Sequence, residues 1–247
     1  METILITGVT GLIGKEYVKY FLSKGYRVIG TYRNKAKFCN LFGEHPELIG
    51  IEVDLMQENA VDLIIQNLEI FNIFPDFLIN NATNSTYLNV NSSGLSPRDN
   101  LLNQYIIHVV LPYELSFKLA NHPLSKLKKI INIASMYGVV PYNPYLYKNP
   151  LVETPVQYSV SKAALIHLTK ELAIKFKDKN IQVNSISYGG VDGRVDEEFK
   201  EKFAKITPLK RMLNPAETPY AVEFLLSDKS VYMTGHNLVV DGGRTIW

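Results

Sequence analysis

Apolar and polar positions along the chain follow two alternating rhythms. Short, nearly continuous runs of β-branched and other apolar residues occupy 3–7, 27–31, 49–53, 77–80, 129–134, 181–186 and 237–240. Between them, apolar residues recur at helical spacing near 12–24, 57–71, 99–121, 157–177 and 215–227. Runs without polar alternation predict strands buried on both faces, as in parallel sheets. Strands separated by helices predict βαβ units. The expectation is an α/β protein: a doubly wound parallel sheet of about seven strands with helices on both faces. No repeat, low-complexity linker or change of composition divides residues 1–247, so a single domain is expected.

Composition narrows the function classes. Hydrophobic residues make up 46% of the 247 positions, enough for a full core, and the formal net charge is only +2. That balance speaks against a nucleic-acid surface, which needs a strongly basic face. The cluster Lys126, Lys128 and Lys129 is short and reads as a solvated loop ahead of a strand. No apolar stretch approaches the roughly 20 residues that span a bilayer, so no membrane association is expected. The chain opens Met1-Glu2 and enters an apolar run directly, unlike a signal peptide. Its single cysteine, Cys39, has no internal partner, which fits a reducing, cytoplasmic location. In that setting the triplets beginning at Asn81, Asn84 and Asn91 match the glycosylation pattern by chance. No metal is expected.

Ligands of open parallel sheets bind beyond the carboxyl ends of the strands. After the first strand comes Thr7-Gly8-Val9-Thr10-Gly11-Leu12-Ile13-Gly14, followed by a helix. Glycines there allow a tight turn and close backbone approach to a pyrophosphate at a helix N-terminus, the mark of a dinucleotide-binding Rossmann fold. A plain strand-to-helix turn is the alternative. The second strand ends Tyr32-Arg33-Asn34, without the Asp or Glu that usually holds a free ribose 2′-hydroxyl. Arg33 is therefore either a partner for a 2′-phosphate or an exposed loop charge; NADP(H) is favoured over NAD(H).

Ser135 ends the fifth strand, and Tyr158 and Lys162 lie four apart at the start of a helical pattern, on one face. A free tyrosine titrates near 10, so a cationic lysine one turn away is expected to lower that value and fit the phenol for acid/base work. A serine hydroxyl at a strand end suits hydrogen bonding to a reacting oxygen.

The set resembles the short-chain dehydrogenase/reductase family over essentially the whole chain. Beside the glycine turn and Ser135, Tyr158 and Lys162, Asp54 with Leu55 after the third strand resembles the family's adenine-side contact. Asn80-Asn81-Ala82-Thr83 resembles its Asn-Asn-Ala-Gly turn. Asn184 to Val191 resembles the segment that meets the nicotinamide, through Gly189 and Val191. The ending Val240-Asp241-Gly242-Gly243 resembles the short, single-domain branch. The resemblance implies an NAD(P)-dependent oxidoreductase that interconverts an alcohol and a carbonyl. Tyr158 would be general acid/base, Lys162 would tune it and hold ribose, and Ser135 would polarise the substrate oxygen. Gly8, Thr10, Gly11, Leu12, Ile13, Gly14, Arg33, Asp54, Leu55, Asn81, Ala82, Tyr158, Lys162, Gly189 and Val191 would hold the cofactor.

The chain also departs from that pattern. Gly11 sits one place early, as in the longer branch that holds sugar-nucleotide epimerases and dehydratases. His108 occupies the helix position of an Asn that helps relay protons; it is either a relay or a packing residue. Tyr188 replaces a Pro and Gly193 a Thr. The stretch from Ser135 to Tyr158 is long and carries the Tyr- and Pro-rich run Val140 to Lys148. Tyrosines there offer flat faces and hydroxyl handles for a sugar or aromatic ring, or form a stiff surface loop or oligomer contact. The insertion and Gly11 resemble oxidoreductases of flagellin or surface-glycan modification, which suggests a polar, sugar-derived substrate. A nucleotide-sugar epimerase or dehydratase and a non-catalytic cofactor-binding regulator are the competing readings. Helices 99–121 and 157–177 are apolar on more than one side, notably at Tyr105, Ile106 and Tyr113, which predicts a homodimer or homotetramer. The Arg244 to Trp247 tail is expected at a second interface.

Overall fold

The computed structural model describes residues 1–247. One sheet organises them. Strands β1 (Thr3–Ile6), β2 (Arg27–Tyr32), β3 (Leu48–Glu52), β4 (Phe77–Asn80), β5 (Lys129–Ser135), β6 (Gln182–Tyr188) and β7 (Asn237–Val240) pair in the order β3-β2-β1-β4-β5-β6-β7, every pairing parallel. The chain winds outward in both directions from β1, so the topological switch point lies between β1 and β4. All seven expected strands are present, within two residues at their ends.

Alternate residues of each inner strand enter separate cores. Leu5, Ile29, Ile51, Leu78, Ile130 and Val183 face helices α3 (Ala60–Phe71), α5 (Leu111–Asn121) and α7 (Val156–Lys175). Ile4, Ile6, Val28, Phe77, Ile79 and Ile131 face α1 (Gly14–Ser23), α2 (Lys35–Phe42) and α9 (Thr218–Leu226). Both faces must be largely apolar when both are covered, which is why the strands read as near-continuous hydrophobic runs, with a few buried polar residues such as Asn132 and Ser185 in β5 and β6.

The helices differ from the expected set in instructive ways. The region 99–121 is not one α-helix: α4 (Arg98–Tyr105) passes through a π-helical turn, Ile106–Val110, before α5. Such turns insert one residue without breaking the apolar stripe, so periodicity does not reveal them. Helices α2 and α8 (Glu197–Lys205) and the short α6 (Pro150–Glu153) lie in stretches that had no expected helix. Yet α8 carries clear local signals: Asp196 accepts from Phe199 N at 2.9 Å, acids fill the first turn and lysines the last.

Lys129 is not part of a solvated loop. It opens β5, is buried, and its Nζ donates to Ser227 O at 2.6 Å and Ser230 Oγ at 3.1 Å, joining β5 to the segment after α9. The chain has no helix long and apolar enough to cross a membrane.

Candidate active site

A cleft of about 800 Å³ runs along the carboxyl edge of the sheet, from the end of β2 across the β1–α1 turn to β5, α7 and α8. Its floor is built by the ends of β1 and β4. Gly8 takes φ +72°, and a Cβ there would lie 3.0 Å from Ala82 Cα. A Cβ on Gly14 would come within 2.4 Å of Gly8 O and 2.9 Å of Val9 Cα. Both positions therefore need glycine, one for the turn and one for close helix–strand packing. Gly11 has no positive φ, and a Cβ there would meet Gly8 O at 3.3 Å, so its early spacing leaves the turn intact. The turn is clamped from the side. Thr7 Oγ1 accepts from Asn81 N at 2.9 Å and Ala82 N at 3.0 Å, while Asn81 Nδ2 donates to Thr7 O at 2.9 Å. That commitment also explains the Asn81 triplet as a structural clamp.

α1 begins directly after the turn, and its first turn has no side-chain cap. Lys15, Glu16 and Tyr17 N already donate to Gly11 O and Ile13 O, whereas the Leu12, Ile13 and Gly14 amides donate to no carbonyl and stand at the glycine cradle, the arrangement that receives an anion such as a pyrophosphate. The residues present thus fit a dinucleotide. At the cleft's β2 end stand Arg33 and, one helical turn on, Lys37, neither paired with an acid. Asn34 Oδ1 caps α2 by accepting from Lys37 N at 2.8 Å. Asp54 and Leu55 line the adjoining wall, where Asp54 Oδ1 accepts from Met56 N at 3.1 Å.

At the other end the structure brings together Ser135, Tyr158, Lys162, Gly189 and Val191, all lining the cleft. Lys162 is 3% exposed, and its Nζ donates to Ile133 O at 2.7 Å. With no acid beside it, burial alone pulls its pKa down to about 7. This corrects the expected electrostatics. The Lys162 ammonium stands 5.8 Å over the Tyr158 ring and is not what adjusts the phenol. Burial pushes Tyr158 up, opposed by the Ser135 hydroxyl and the charge of Arg194.

His108 does not line the cleft. It is 1% exposed and lies in the π turn, with its ring edge-on to Tyr158 at 5.6 Å. Ser161 Oγ donates to Tyr158 O at 2.9 Å, so His108 Nδ1–H donates to Ser161 Oγ, also 2.9 Å away. Nε2 then accepts from the Thr83 hydroxyl at 3.0 Å. Burial and the nearby Lys162 hold the imidazole pKa well below its usual value. The histidine is a neutral strut between the cleft wall and the Tyr158 helix.

The other departures have structural reasons. Tyr188 Oη donates to Thr218 O at 2.5 Å and packs against the Tyr17 hydroxyl at 3.3 Å, tying β6 to α1 and α9. Gly193 takes φ +114°, a conformation that strains a threonine. The insertion folds back as a wall. The Tyr137 and Tyr142 rings pack tilted by 32° with centroids 3.9 Å apart, the Tyr137 and Tyr147 hydroxyls are 2.8 Å apart, and Tyr147 packs on Phe199 of α8 at 5.6 Å. Lys148 bridges to Asp196 at 3.5 Å and Glu198 at 2.9 Å, joining insertion and α8. Sequence reasoning missed Lys37, Arg194, Phe199, Phe203 and the particular tyrosines that face inward. Phe199 and Phe203 share a face of α8, a spacing that marks them once that helix is recognised.

The family described as enoyl-(acyl carrier protein) reductase matches residues 8–245. The post-translational flagellin modification protein A of Campylobacter coli is 29% identical, covering 98% of this chain and 97% of that protein. The 3-oxoacyl-(acyl-carrier-protein) reductase of Aquifex aeolicus is 30% identical, covering 97% and 95%. A short-chain dehydrogenase from Leptospira borgpetersenii with bound NAD+ superposes with a TM-score of 0.87 at 31% identity, covering 99% and 92%.

Proposed function

The chain belongs to the short-chain dehydrogenase/reductase family of oxidoreductases, and from that premise we propose that it interconverts an alcohol and a ketone or aldehyde on a polar, sugar-derived substrate, using NADP(H). The observation that carries this reading is the convergence of Ser135, Tyr158 and Lys162 at the end of one dinucleotide-shaped cleft. When bound, the nicotinamide supplies or accepts the hydride. The Gly8 to Gly14 turn, with its Leu12, Ile13 and Gly14 amides, would hold the pyrophosphate; Asp54, Leu55, Asn81 and Ala82 would flank the adenosine side, and Gly189 and Val191 the nicotinamide side. The Tyr158 hydroxyl gives or takes the proton at the substrate oxygen, and the Ser135 hydroxyl donates to that oxygen. Lys162 would bind ribose, and the Ser135 hydroxyl and the charge of Arg194 favour the Tyr158 phenolate. His108 keeps the Tyr158 helix and Thr83 in register.

Arg33 and Lys37 support NADP(H), because two unpaired cations and no acid at the end of β2 suit a 2′-phosphate. The tyrosine-lined wall and the similarity to a flagellin modification protein support a sugar-derived substrate. The similarity over nearly their whole length to a 3-oxoacyl-(acyl-carrier-protein) reductase and a short-chain dehydrogenase supports the alcohol–carbonyl reading over an epimerase or dehydratase. Leu101, Leu102, Tyr105, Ile106, Tyr113 and Phe117 form an exposed apolar face on α4, the π turn and α5, and support a homodimer or homotetramer. Exposed Val231, Tyr232, Ile246 and Trp247 support a second contact near the C-terminus.

The test is NADPH oxidation over a panel of sugar and small-molecule ketones. Tyr158→Phe should keep NADPH affinity and lose roughly 10²–10⁴-fold in turnover. Wild-type turnover in that variant removes Tyr158 from its role. No turnover of any carbonyl or alcohol by the native protein favours the regulator reading.

A further inference from the structure

Gln157 stands one place before Tyr158, in the first turn of α7, and is 1% exposed. Glutamine is mostly exposed in folded chains, and a buried amide needs partners for both of its ends. Here both ends reach the same segment, residues 84–96, which leads from β4 toward α4. Gln157 Oε1 accepts from Ser96 Oγ at 2.5 Å, and Nε2 donates to Tyr87 O at 3.0 Å and Asn89 O at 3.4 Å. One side chain therefore ties the outgoing and the returning limb of the segment to the helix of the proposed acid/base.

The segment has little internal structure to fix its shape. Its regular part is a single 3₁₀ turn, Ser85–Leu88, and its tip closes on itself: Asn91 N donates to Leu95 O at 3.0 Å, and Asn91 Oδ1 accepts from Leu95 N at 2.8 Å. From α4, Gln104 Nε2 donates to Asn84 O at 2.6 Å and Asn100 Nδ2 to Asn89 O at 2.8 Å. Gly94 packs so closely under Leu151 of α6 that a Cβ would lie 2.5 Å from Leu151 Cδ1. Gln157 supplies every hydrogen bond between the segment and α7.

What the segment offers the cleft depends on that attachment. Thr86 and Leu88 flank the Tyr87 carbonyl that Gln157 holds, and both line the cleft, as do Asn84 and Ser85. The reacting groups are fixed separately. Tyr158 O is held by Ser161 Oγ, which His108 meets in turn, and Lys162 Nζ is held by Ile133 O. The glycine turn has its own clamp in Thr7 and Asn81. Loss of the Gln157 amide would loosen the wall while leaving the proposed acid/base and the cofactor turn in place.

We propose that Gln157 is a positioning residue for substrate affinity: it latches the 84–96 segment, as one wall of the substrate pocket, to the helix that carries Tyr158. The inference rests on the oxidoreductase reading and adds to it the residue through which the substrate is held.

The experiment compares the full chain with Gln157→Met, which keeps the length of the side chain and removes all three bonds. With NADPH bound, amides of 84–96 should exchange with deuterium at least about tenfold faster in the variant, and those of 158–175 at the native rate. The KM for dihydroxyacetone, and for each other ketone that the native chain reduces, should rise about tenfold, the worth of one to two hydrogen bonds. Turnover and NADPH affinity should stay within about twofold of native. Ser96→Ala removes one bond and leaves both carbonyls held, so it should move both readouts the same way by less; should Gln157→Met not fold, it carries the comparison. A native exchange rate across 84–96 overturns the proposal. So does faster exchange with an unchanged KM, or a fall in kcat in place of a rise in KM. A loss of NADPH affinity that matches the KM change also overturns it, and would assign the wall to the cofactor. A native chain that reduces no carbonyl, with 84–96 still loosened by Gln157→Met, would sink the oxidoreductase reading and leave the latch standing.

Discussion

Replacing Lys162 by methionine should make the cofactor-free protein more stable, by an amount that shrinks as pH rises. Lys162 is 3% exposed with no acid beside it, and burial takes its pKa from 10.5 to about 7. At ~1.4 kcal/mol per pH unit, that depression corresponds to about 5 kcal/mol of cost to keeping the ammonium in the fold. The direction with pH follows from proton counting. The unfolded chain keeps the Lys162 proton until about pH 10.5, whereas the folded protein releases it near 7. Between those values the unfolded state holds more protons, so wild-type stability rises with pH across that window and the penalty is largest at and below pH 7. Lys162→Met lacks this contribution, and all other titrating groups are common to both proteins. Urea unfolding at pH 7.5 and pH 9.5 should therefore show the variant ahead at the lower pH, with its lead smaller by roughly 2–3 kcal/mol at the higher. A lead that stays constant or grows with pH would refute the claim that the cofactor-free site holds an unpaired, desolvated lysine. The variant should also fail to turn over carbonyl substrates, so stability and activity at this position oppose each other.

Fluorescence titration should give tighter binding of NADPH than of NADH, and Arg33→Ala or Lys37→Ala should each narrow the gap by roughly tenfold, as expected for one charged contact to a phosphate; equal affinities in the native protein would end the NADP(H) assignment. Gly14→Ala places a methyl carbon 2.4 Å from Gly8 O, so the turn must shift and NADPH binding should fall at least about tenfold; an unchanged dissociation constant would show that the turn does not hold the cofactor. Light scattering at micromolar concentration should report a dimer or tetramer, as expected if the exposed Leu102, Tyr105 and Phe117 are covered by a second copy; a mass near 28.0 kDa would contradict it.

Local chemistry written along the chain was enough to read most of the architecture. Unbroken apolar runs such as Ile4 to Ile6 and Phe77 to Ile79 report a strand covered on both faces, and glycines at 8 and 14 report a backbone that must turn and then touch a helix. Tyr158 and Lys162 were legible because four residues on a helix is a fixed geometry. These signals survive without tertiary context because each is imposed within one element or at one turn. The rest depended on distance in space between residues far apart in sequence. His108 is a strut because Thr83 and Ser161 close on its two nitrogens. Lys162 is a depressed, unpaired base because Ile133 O, not an acid, meets its ammonium. Lys129 is buried because Ser227 and Ser230 come back across the sheet to cap it. The tyrosine wall exists because Lys148 and Tyr147 anchor the insertion onto α8. Residue types constrain what a side chain can do, but a hydrogen bond, a counter-charge or its absence is a property of the packed neighbourhood. Only the folded chain decides which of those each side chain meets.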